Sequence, residues 1–388
     1  MKERSTIVIV FSTILLNLIV FFLPTQLGIH FWPDFSRAAG IKVDYLSPTL
    51  YFTDLLLISY IIASFSKLLT WSKKNIKVLL IFLLFISFNS IFGISTLNTL
   101  FWWLRLSLYL ALFVAFRQNK ITWSQIKNPL IVSTALVVVL QAIQTYLQHS
   151  LGGPLYLLGE RTFNTSTTGL ARMNLFGLDF VRSPATFSHP NSLSGYLLMV
   201  YCLLDFYKSP LWQRLIVFLG LILTFSKASL LAFLLTISFH INSVMLINLT
   251  IVFSFLQPFL PAIPSAVQFI SDRLFLLLPA KNIIYGSSLL GVGLGNFIPA
   301  LVSYIPGSFL IPEKLQPVHN LLLLLISEIG FVGLTLLLII IKTNIKRVNK
   351  QRFLVILAIV LITGIFDHYW WTLPQNKIIF LLATAIML

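Results

Sequence analysis

Residues 5–23 read STIVIVFSTILLNLIVFFL, a run without a charged side chain that follows the short charged N-terminus, residues 1–4. A helix of about 20 apolar residues is long enough to cross the hydrocarbon core of a bilayer. No small-residue cleavage site follows the run, so it indicates an uncleaved first membrane helix. A cleaved signal peptide is the alternative.

The composition of the whole chain has the same character. Of the 388 residues, 57% are hydrophobic and 10% are charged, and the mean hydropathy is +0.93. Soluble domains carry about 25% charged residues, so lipid is the solvent that fits this chain. Cys202, the single cysteine, excludes an intrachain disulfide and gives no basis for a Cys/His metal site.

Apolar segments of spanning length recur along the chain and predict about twelve transmembrane helices. We place them at residues 5–23, 46–66, 76–94, 97–116, 129–148, 191–207, 211–225, 228–241, 243–260, 319–341, 352–366 and 373–388. The expected fold class is therefore an all-α polytopic membrane protein. The helix count between 211 and 260 stays open, because few polar residues interrupt that region.

We interpret the net charge of +16 as an indication of membrane topology and not of nucleic-acid binding. Basic residues collect in the short loops, as in Lys342, Lys346, Arg347, Lys350 and Arg352 of the last one. Short loops rich in Lys and Arg face the cytoplasm. This placement puts the N- and C-termini on the cytoplasmic side.

Two segments, 149–190 and 261–318, are too long to be simple connections. The topology places both outside the cytoplasm, and we expect them to be folded and to contain short helices. The chain is thereby divided into N-terminal helices (1–148), the first long loop, a core that includes the second long loop (191–341) and C-terminal helices (342–388).

The first long loop ends in RSPATFSHPN, residues 182–191. Arg182, His189 and Asn191 bring a cation, an imidazole and an amide to the start of a helix. Pro190 favours a helix start. The stretch therefore predicts either a capped helix or part of a functional site.

The second long loop ends in His319 and Asn320, directly before the apolar run 321–326. A neutral imidazole in that position can accept a proton near pH 7. The alternative is an interfacial histidine that is hydrogen-bonded to a backbone carbonyl.

Acidic residues on the predicted outer side are scattered, and no two have a D-x-D spacing. Carboxylate oxygens are the ligands that Mg²⁺ or Mn²⁺ would need. Arginine forks neutralise a pyrophosphate without a metal, and the outer side carries Arg161, Arg172, Arg182 and Arg273. A metal-free reaction on a pyrophosphate-bearing lipid is therefore physically coherent.

Other polar residues lie within or beside predicted helices. Arg105 lies inside a predicted span, where a paired structural charge and a functional charge are both compatible with the pattern. Lys227 can hold a lipid phosphate or anchor the interface. Asp367 and His368 precede aromatic residues at an outer helix end, so they belong either to an interfacial belt or to the site.

Four motifs, taken together, resemble the family of O-antigen ligases and O-antigen polymerases. Residues 182–191 are similar to its R-x-x-G-T-F-x-H-P-N stretch, and residues 224–228, TFSKA, to its T-x-S-R-G/A segment. Residues 291–297, GVGLGNF, resemble its G-x-G-x-G-x-F turn. His319-Asn320 with EIGFVGL at 328–334 resembles its H-N and E-x-G-x-x-G signature.

The resemblance implies a GT-C-like fold in a bacterial inner membrane, with the active site on the periplasmic or outer face. The implied reaction moves a glycan from an undecaprenyl-pyrophosphate carrier to a hydroxyl of a glycan, lipid or protein, with inversion and without cofactor or metal. It implies His319 as general base and Arg182 and Arg273 as pyrophosphate ligands. Our further candidates for lining the site are His189, Asn191, Asn320, Lys227, Asp367 and His368. Ala185 and Lys227 depart from the usual glycine and arginine, and lysine is not an equivalent phosphate fork.

A polysaccharide transporter or flippase is the alternative function. Twelve helices around a basic cavity would suit it. Transporters often show related repeats with broken helices in both halves, whereas the polar motifs here are concentrated in the C-terminal half. A non-catalytic membrane scaffold would not need the outward arginine and histidine residues.

Overall fold

The computed structural model describes residues 2–175, 177–238, 240–259, 275–345 and 350–387. Its helices, numbered in chain order, are α1 (Lys2–Phe22), α2 (Phe52–Ala63), α3 (Phe65–Lys74), α4 (Ile76–Ile91), α5 (Thr96–Gln118), α6 (Trp123–Leu147), α7 (Pro190–Phe206), α8 (Leu211–Leu223), α9 (Lys227–Phe233), α10 (Ser243–Leu256), α11 (Leu277–Gly286), α12 (Phe297–Leu301), α13 (Leu321–Ile345), α14 (Lys350–Gly364), α15 (Tyr369–Thr372) and α16 (Pro374–Met387). The strands are β1 (Gly28–His30), β2 (Arg37–Ala38), β3 (Ile41–Lys42), β4 (Thr49–Tyr51), β5 (Arg172–Leu175) and β6 (Leu178–Val181).

The molecule is a helical membrane protein, and each predicted span contains a helix. In the described ranges, α5, α6 and Leu321–Ile339 of α13 have the length and apolar composition needed to cross a bilayer. The consecutive helices α2 and α3, bent by 69° at their junction, would make a fourth span if they are counted together. The other apolar helices are shorter.

The region from 211 to 260, whose helix count the sequence leaves open, contains three separate helices. They are α8, α9 and α10, and a π-helical turn at Leu234–Ser238 extends α9. A π-turn widens the helix and commonly occurs as a single turn inside an α-helix. The region is thus neither two long helices nor one continuous span.

Helix α7 lies at the centre of the helical bundle. Every residue from Pro190 to Val200 is buried, and the helix contacts α8, α9, α14 and α16. Proline suits the first helical position, because its missing N–H needs no partner there. His189 Nδ1 accepts a hydrogen bond from the Asn191 backbone N–H at 3.1 Å, so the start of α7 is fixed in the core.

The protein is mostly helical, as expected, but its described residues also form three two-stranded antiparallel sheets that were not predicted. β1 pairs with β4, β2 with β3, and β5 with β6. The predicted helix 46–66 begins only at Phe52, because residues 24–51 fold as paired strands and short turns. Ala39 and Gly40 both have positive φ between β2 and β3, the backbone geometry of a two-residue hairpin turn.

The two long loops differ from each other. The loop 149–190 contains one short helix of the kind predicted, a 3₁₀ helix at Gly153–Leu158, and also the β5–β6 hairpin, which was not predicted. The described part of the second loop contains α11 and α12, as predicted. Thr25 Oγ1 donates to the Leu158 carbonyl at 2.7 Å, which joins the N-terminal strand region to the first long loop.

Candidate functional site

Three separate segments converge where α7 and α13 begin and where α14 ends. Asp367, beyond the end of α14, accepts a hydrogen bond from Asn191 Nδ2 to Oδ2 at 3.0 Å. His319 Nδ1 lies 3.9 Å from Asp367 Oδ1, a distance for charge interaction that is longer than a direct hydrogen bond. The rings of His319 and His368 are stacked with centroids 5.2 Å apart.

Arg182 is joined to this group from the side of β6. Its Nη2 donates to Asn191 Oδ1 at 2.8 Å, and its Nε donates to the Thr224 carbonyl at 2.9 Å. Arg182, Asn191, Asp367, His319 and His368 are called the site cluster below. A continuous series of polar contacts therefore links the guanidinium of Arg182 to the imidazole of His319.

The charge of Asp367 is stabilised by its histidine neighbours. Burial by itself raises the pKa of this carboxyl, but contact with His319 and the electrostatic influence of His368, His319 and His189 hold the pKa well below its usual range. Its side chain is 12% exposed. Asp367 therefore stays ionised at neutral pH beside the imidazole of His319.

The remaining predicted residues take different places. His189 caps α7 next to Asn191. Asn320 donates to Gln257 Oε1 at 2.7 Å and accepts from the Leu323 N–H. Its amide thus caps α13, and neither of these hydrogen bonds reaches the site cluster. Lys227 is exposed at the start of α9. Arg273 lies outside the described residues.

A cavity of about 480 Å³ lies near the site cluster, and none of the five cluster residues lines it. Tyr45 packs its ring edge against His368 with centroids 5.3 Å apart, and Thr372 Oγ1 lies 2.9 Å from His368 Nδ1. Both residues line the cavity, together with Pro317 and Ser188, which are close in sequence to His319 and His189. The cavity wall therefore contacts His368 through Tyr45 and Thr372.

Much of this cavity wall was missed by sequence reasoning. Its walls include α5, α16 and the N-terminal strand region, which contribute Trp102, Arg105, Tyr109, Lys377, Tyr45 and Tyr51. The signal available in the sequence was the presence of ionisable residues in apolar helices, such as Lys377 in α16. Such residues mark a polar site or a buried pair.

Arg105 is held by a buried ion pair. Its Nη1 and Nη2 donate to Asp54 Oδ2 and Oδ1 at 2.9 and 3.1 Å, and Nη1 also donates to the Thr49 carbonyl. The side chain of Asp54 is 2% exposed. The paired-charge interpretation of Arg105 thus describes its structure, although the residue also faces the cavity.

His319, Asp367 and His368 also have the donor types that a metal ion takes. One ligand atom from each lies within 4.8 Å of the others, and imidazole with carboxylate suits Zn²⁺. The two imidazole planes are nearly parallel, however, with an angle of 22° between them. The rings must turn before both lone pairs can point to one ion.

The site cluster as it stands suits proton transfer. A carboxylate beside an imidazole stabilises the imidazolium that forms when the ring takes a proton, and this is the arrangement of a general base with an orienting partner. A guanidinium on the same series of contacts can stabilise negative charge on a leaving group.

Comparisons with protein-family models, with curated protein sequences and with solved structures found no match.

Proposed function

We propose that this protein is a membrane glycosyltransferase that moves a glycan from an undecaprenyl-pyrophosphate-type carrier to an acceptor hydroxyl, as an O-antigen ligase or a polysaccharide polymerase. The main support is the contact series from Arg182 to His319, in which residues of two of the family-like motifs meet through Asp367. In this proposal the chain has a GT-C-like fold of about twelve spans, with both termini in the cytoplasm and the site at the outer face of a bacterial inner membrane.

In the proposed reaction, His319 removes the proton from the acceptor hydroxyl while the acceptor oxygen bonds to the anomeric carbon of the donor. The bond between that carbon and the phosphate oxygen breaks, and the electron pair leaves with the lipid pyrophosphate. Attack opposite to the leaving group inverts the anomeric configuration. Arg182 stabilises the charge that develops on the pyrophosphate.

Asp367 is a positioning residue in this scheme. Its ionised carboxylate favours the protonated imidazole after proton transfer, and its hydrogen bond from Asn191 fixes the carboxylate. Asn191 is in turn held by Arg182. The proposal therefore couples the groups that act on the acceptor and on the leaving group.

The first test is transfer by the purified protein. The protein is incubated with a lipid-pyrophosphate glycan and candidate acceptors, and mass spectrometry identifies the products. Chain growth indicates a polymerase, and a single capping event indicates a ligase. If no acceptor gives a product and the protein instead moves the lipid-linked glycan across the membrane of proteoliposomes, the protein is a transporter and not a transferase.

The second test is the variant His319→Ala. A general base contributes about 10²- to 10⁴-fold to the rate, so we expect a loss of transfer in that range. His149→Ala is the matched control, because His149 is an exposed histidine of the first long loop. Circular dichroism and gel filtration verify folding. Full activity of His319→Ala would exclude the proposed base.

A chelator distinguishes a base from a metal ligand at His319. We expect EDTA and phenanthroline to leave the transfer rate unchanged, because no step of the proposal uses a metal. Loss of activity on chelation, with recovery on addition of Zn²⁺, would reassign His319, Asp367 and His368 as ligands.

A further inference from the structure

Helix α3 departs from the direction of α2 and has no buried residue along its length. The two helices are bent by 69° at their junction, and α3 contacts α4 and α5. Three of its ten residues are lysines, whose charge is costly inside hydrocarbon. α3 is therefore better suited to the surface of a bilayer than to its core.

The bend is fixed by the side chain of Asn119, which follows the end of α5. Its Nδ2 donates to the Tyr60 hydroxyl at 3.1 Å and to Ser64 Oγ at 2.8 Å, at the end of α2. Its Oδ1 accepts from Lys67 Nζ of α3 at 2.7 Å. One amide thus bonds both arms of the bend, so the direction of α3 is part of the fold.

Helix α3 separates its apolar side chains from its basic ones. In the helical periodicity, Phe65, Leu68 and Leu69 lie on one side, and Lys67 and Lys74 lie on the other. Leu68 packs against the core, whereas Phe65 is 63% and Leu69 44% exposed. Exposed apolar side chains opposite lysines are typical of a helix that lies in a membrane interface.

The charge around α3 has one sign. Lys73, Lys74 and Lys77 are exposed where α3 meets α4, and Lys120 is exposed next to Asn119. The sequence contains no acidic residue between positions 55 and 159, so α3, α4, α5 and α6 carry no carboxylate. Anionic headgroups attract basic side chains of this kind at a membrane surface.

The neighbouring helices indicate that α3 meets lipid and not a soluble partner. On either side of it, α2 and α4 expose apolar residues such as Ile62 and Leu80, which are 67% and 57% exposed. A bilayer that covers these residues also borders α3. An anionic lipid supplies both a phosphate for the lysines and acyl chains for Phe65 and Leu69.

We propose that α3 lies in the membrane interface and binds the headgroups of anionic phospholipids. Lys73, Lys74 and Lys77 donate charge-assisted hydrogen bonds to the lipid phosphates, and Phe65 and Leu69 insert among the acyl chains. The proposal does not depend on the glycosyltransferase reaction, because α3 contains no residue of the site cluster.

Trp71 of α3 can report lipid contact. The full-length protein is placed in nanodiscs of equal parts phosphatidylglycerol and phosphatidylcholine, and one lipid or the other has brominated chains, which quench tryptophan fluorescence. The difference between wild type and Trp71→Phe isolates the signal of Trp71. We expect phosphatidylglycerol to be preferred at Trp71 by about fivefold or more, the effect of one or more lysines near the surface.

The double variant Lys73→Gln with Lys74→Gln should reduce this preference by at least about fivefold. Lys42→Gln with Lys281→Gln is the matched control, because it removes the same charge from β3 and α11 and leaves α3 intact. Gel filtration verifies folding. No preference in wild type, or the wild-type preference in the folded double variant, would overturn the proposal.

Salt and phosphate complete the test on the unaltered protein. Sodium chloride at about 1 M shortens the screening length to about 3 Å, so it should weaken the preference even if the double variant does not fold. A preference unaffected by salt would contradict headgroup binding by the lysines. Inorganic phosphate at constant ionic strength should have no effect, and loss of the preference on its addition would show that α3 binds free phosphate instead of lipid.

Discussion

Asp367 joins three parts of the chain through its two carboxylate oxygens. Oδ2 accepts from Asn191 at the start of α7, and Oδ1 accepts from the His368 N–H and faces His319 before α13. Asn191, His319 and Asp367 are far apart in sequence, so their contacts depend on how α7, α13 and α14 pack. The sequence could select His319 and Asp367 separately, but it could not show that they lie next to each other.

The lowered pKa of Asp367 predicts a pH-dependent contribution to stability. The unfolded carboxyl has a pKa of about 3.9, so the ionised form stabilises the folded protein above that pH. The contribution is lost as the pH falls through the lower folded value. Asp367→Asn removes it.

We therefore expect the melting temperature of Asp367→Asn in detergent to lie below that of wild type at pH 7. The difference should shrink as the pH is lowered below about 4. Differential scanning fluorimetry of wild type and Asp367→Asn at pH 7 and pH 3 measures the two differences in melting temperature. An equal difference at pH 7 and pH 3 would contradict a stabilising charge at this position.

At the scale of elements, the two glycine-containing motifs, residues 291–297 and 328–334, pack against each other. Helix α13 is interrupted at Gly330, whose φ of 65° and ψ of −176° are not helical. Val292 and Gly293 N–H groups donate to the carbonyls of Ser327 and Glu328 at 2.8 and 3.1 Å. A break within an apolar helix needs such partners, because lipid offers none.

Asn89 of α4 holds the same junction from the other side. Its Nδ2 donates to the carbonyls of Leu290 and Glu328, and its Oδ1 accepts from the Leu294 N–H. The sequence predicts a tight turn at the glycines, since a run of them allows positive φ. It does not predict the partner, since Asn89 is about 200 residues away.

Gly330→Ala should destabilise the protein strongly. The residue has positive φ, and an added Cβ would collide with the backbone carbonyl of Leu289. We expect a loss of at least about 2 kcal/mol in unfolding free energy, seen as a lower melting temperature. Gly307→Ala is the control, because nothing lies within 4 Å of its added Cβ. Equal melting temperatures for the two variants would contradict the docking role.

At the scale of the whole molecule, the N-terminal half contributes much more than hydropathy. The strand region 24–51 and α5 build one side of the cavity, and Thr186 Oγ1 donates to the Pro24 carbonyl next to the site. The family-like motifs all lie between residues 182 and 334. The N-terminal half therefore supplies the surroundings in which the site cluster would act.

The proposed orientation predicts a labelling pattern in intact cells. Cys202 is fully buried, so the native chain should give low background with a membrane-impermeant maleimide. Ser166→Cys, exposed in the first long loop, should be labelled from outside, and Ser124→Cys, exposed at the start of α6, should be labelled only after lysis. The reverse pattern would invert the topology and place the site cluster in the cytoplasm.

The sequence by itself determined that the chain is a helical membrane protein and where its apolar helices lie, because hydropathy is a local property and a spanning helix satisfies its own backbone. It also selected His319, Arg182, Asn191 and Asp367 as candidates from their positions at helix ends. Only the tertiary structure decided that these residues meet, that Asn320 turns to Gln257, and that Lys377 and Tyr45 line one cavity. Those contacts depend on packing between distant helices, which local patterns do not encode.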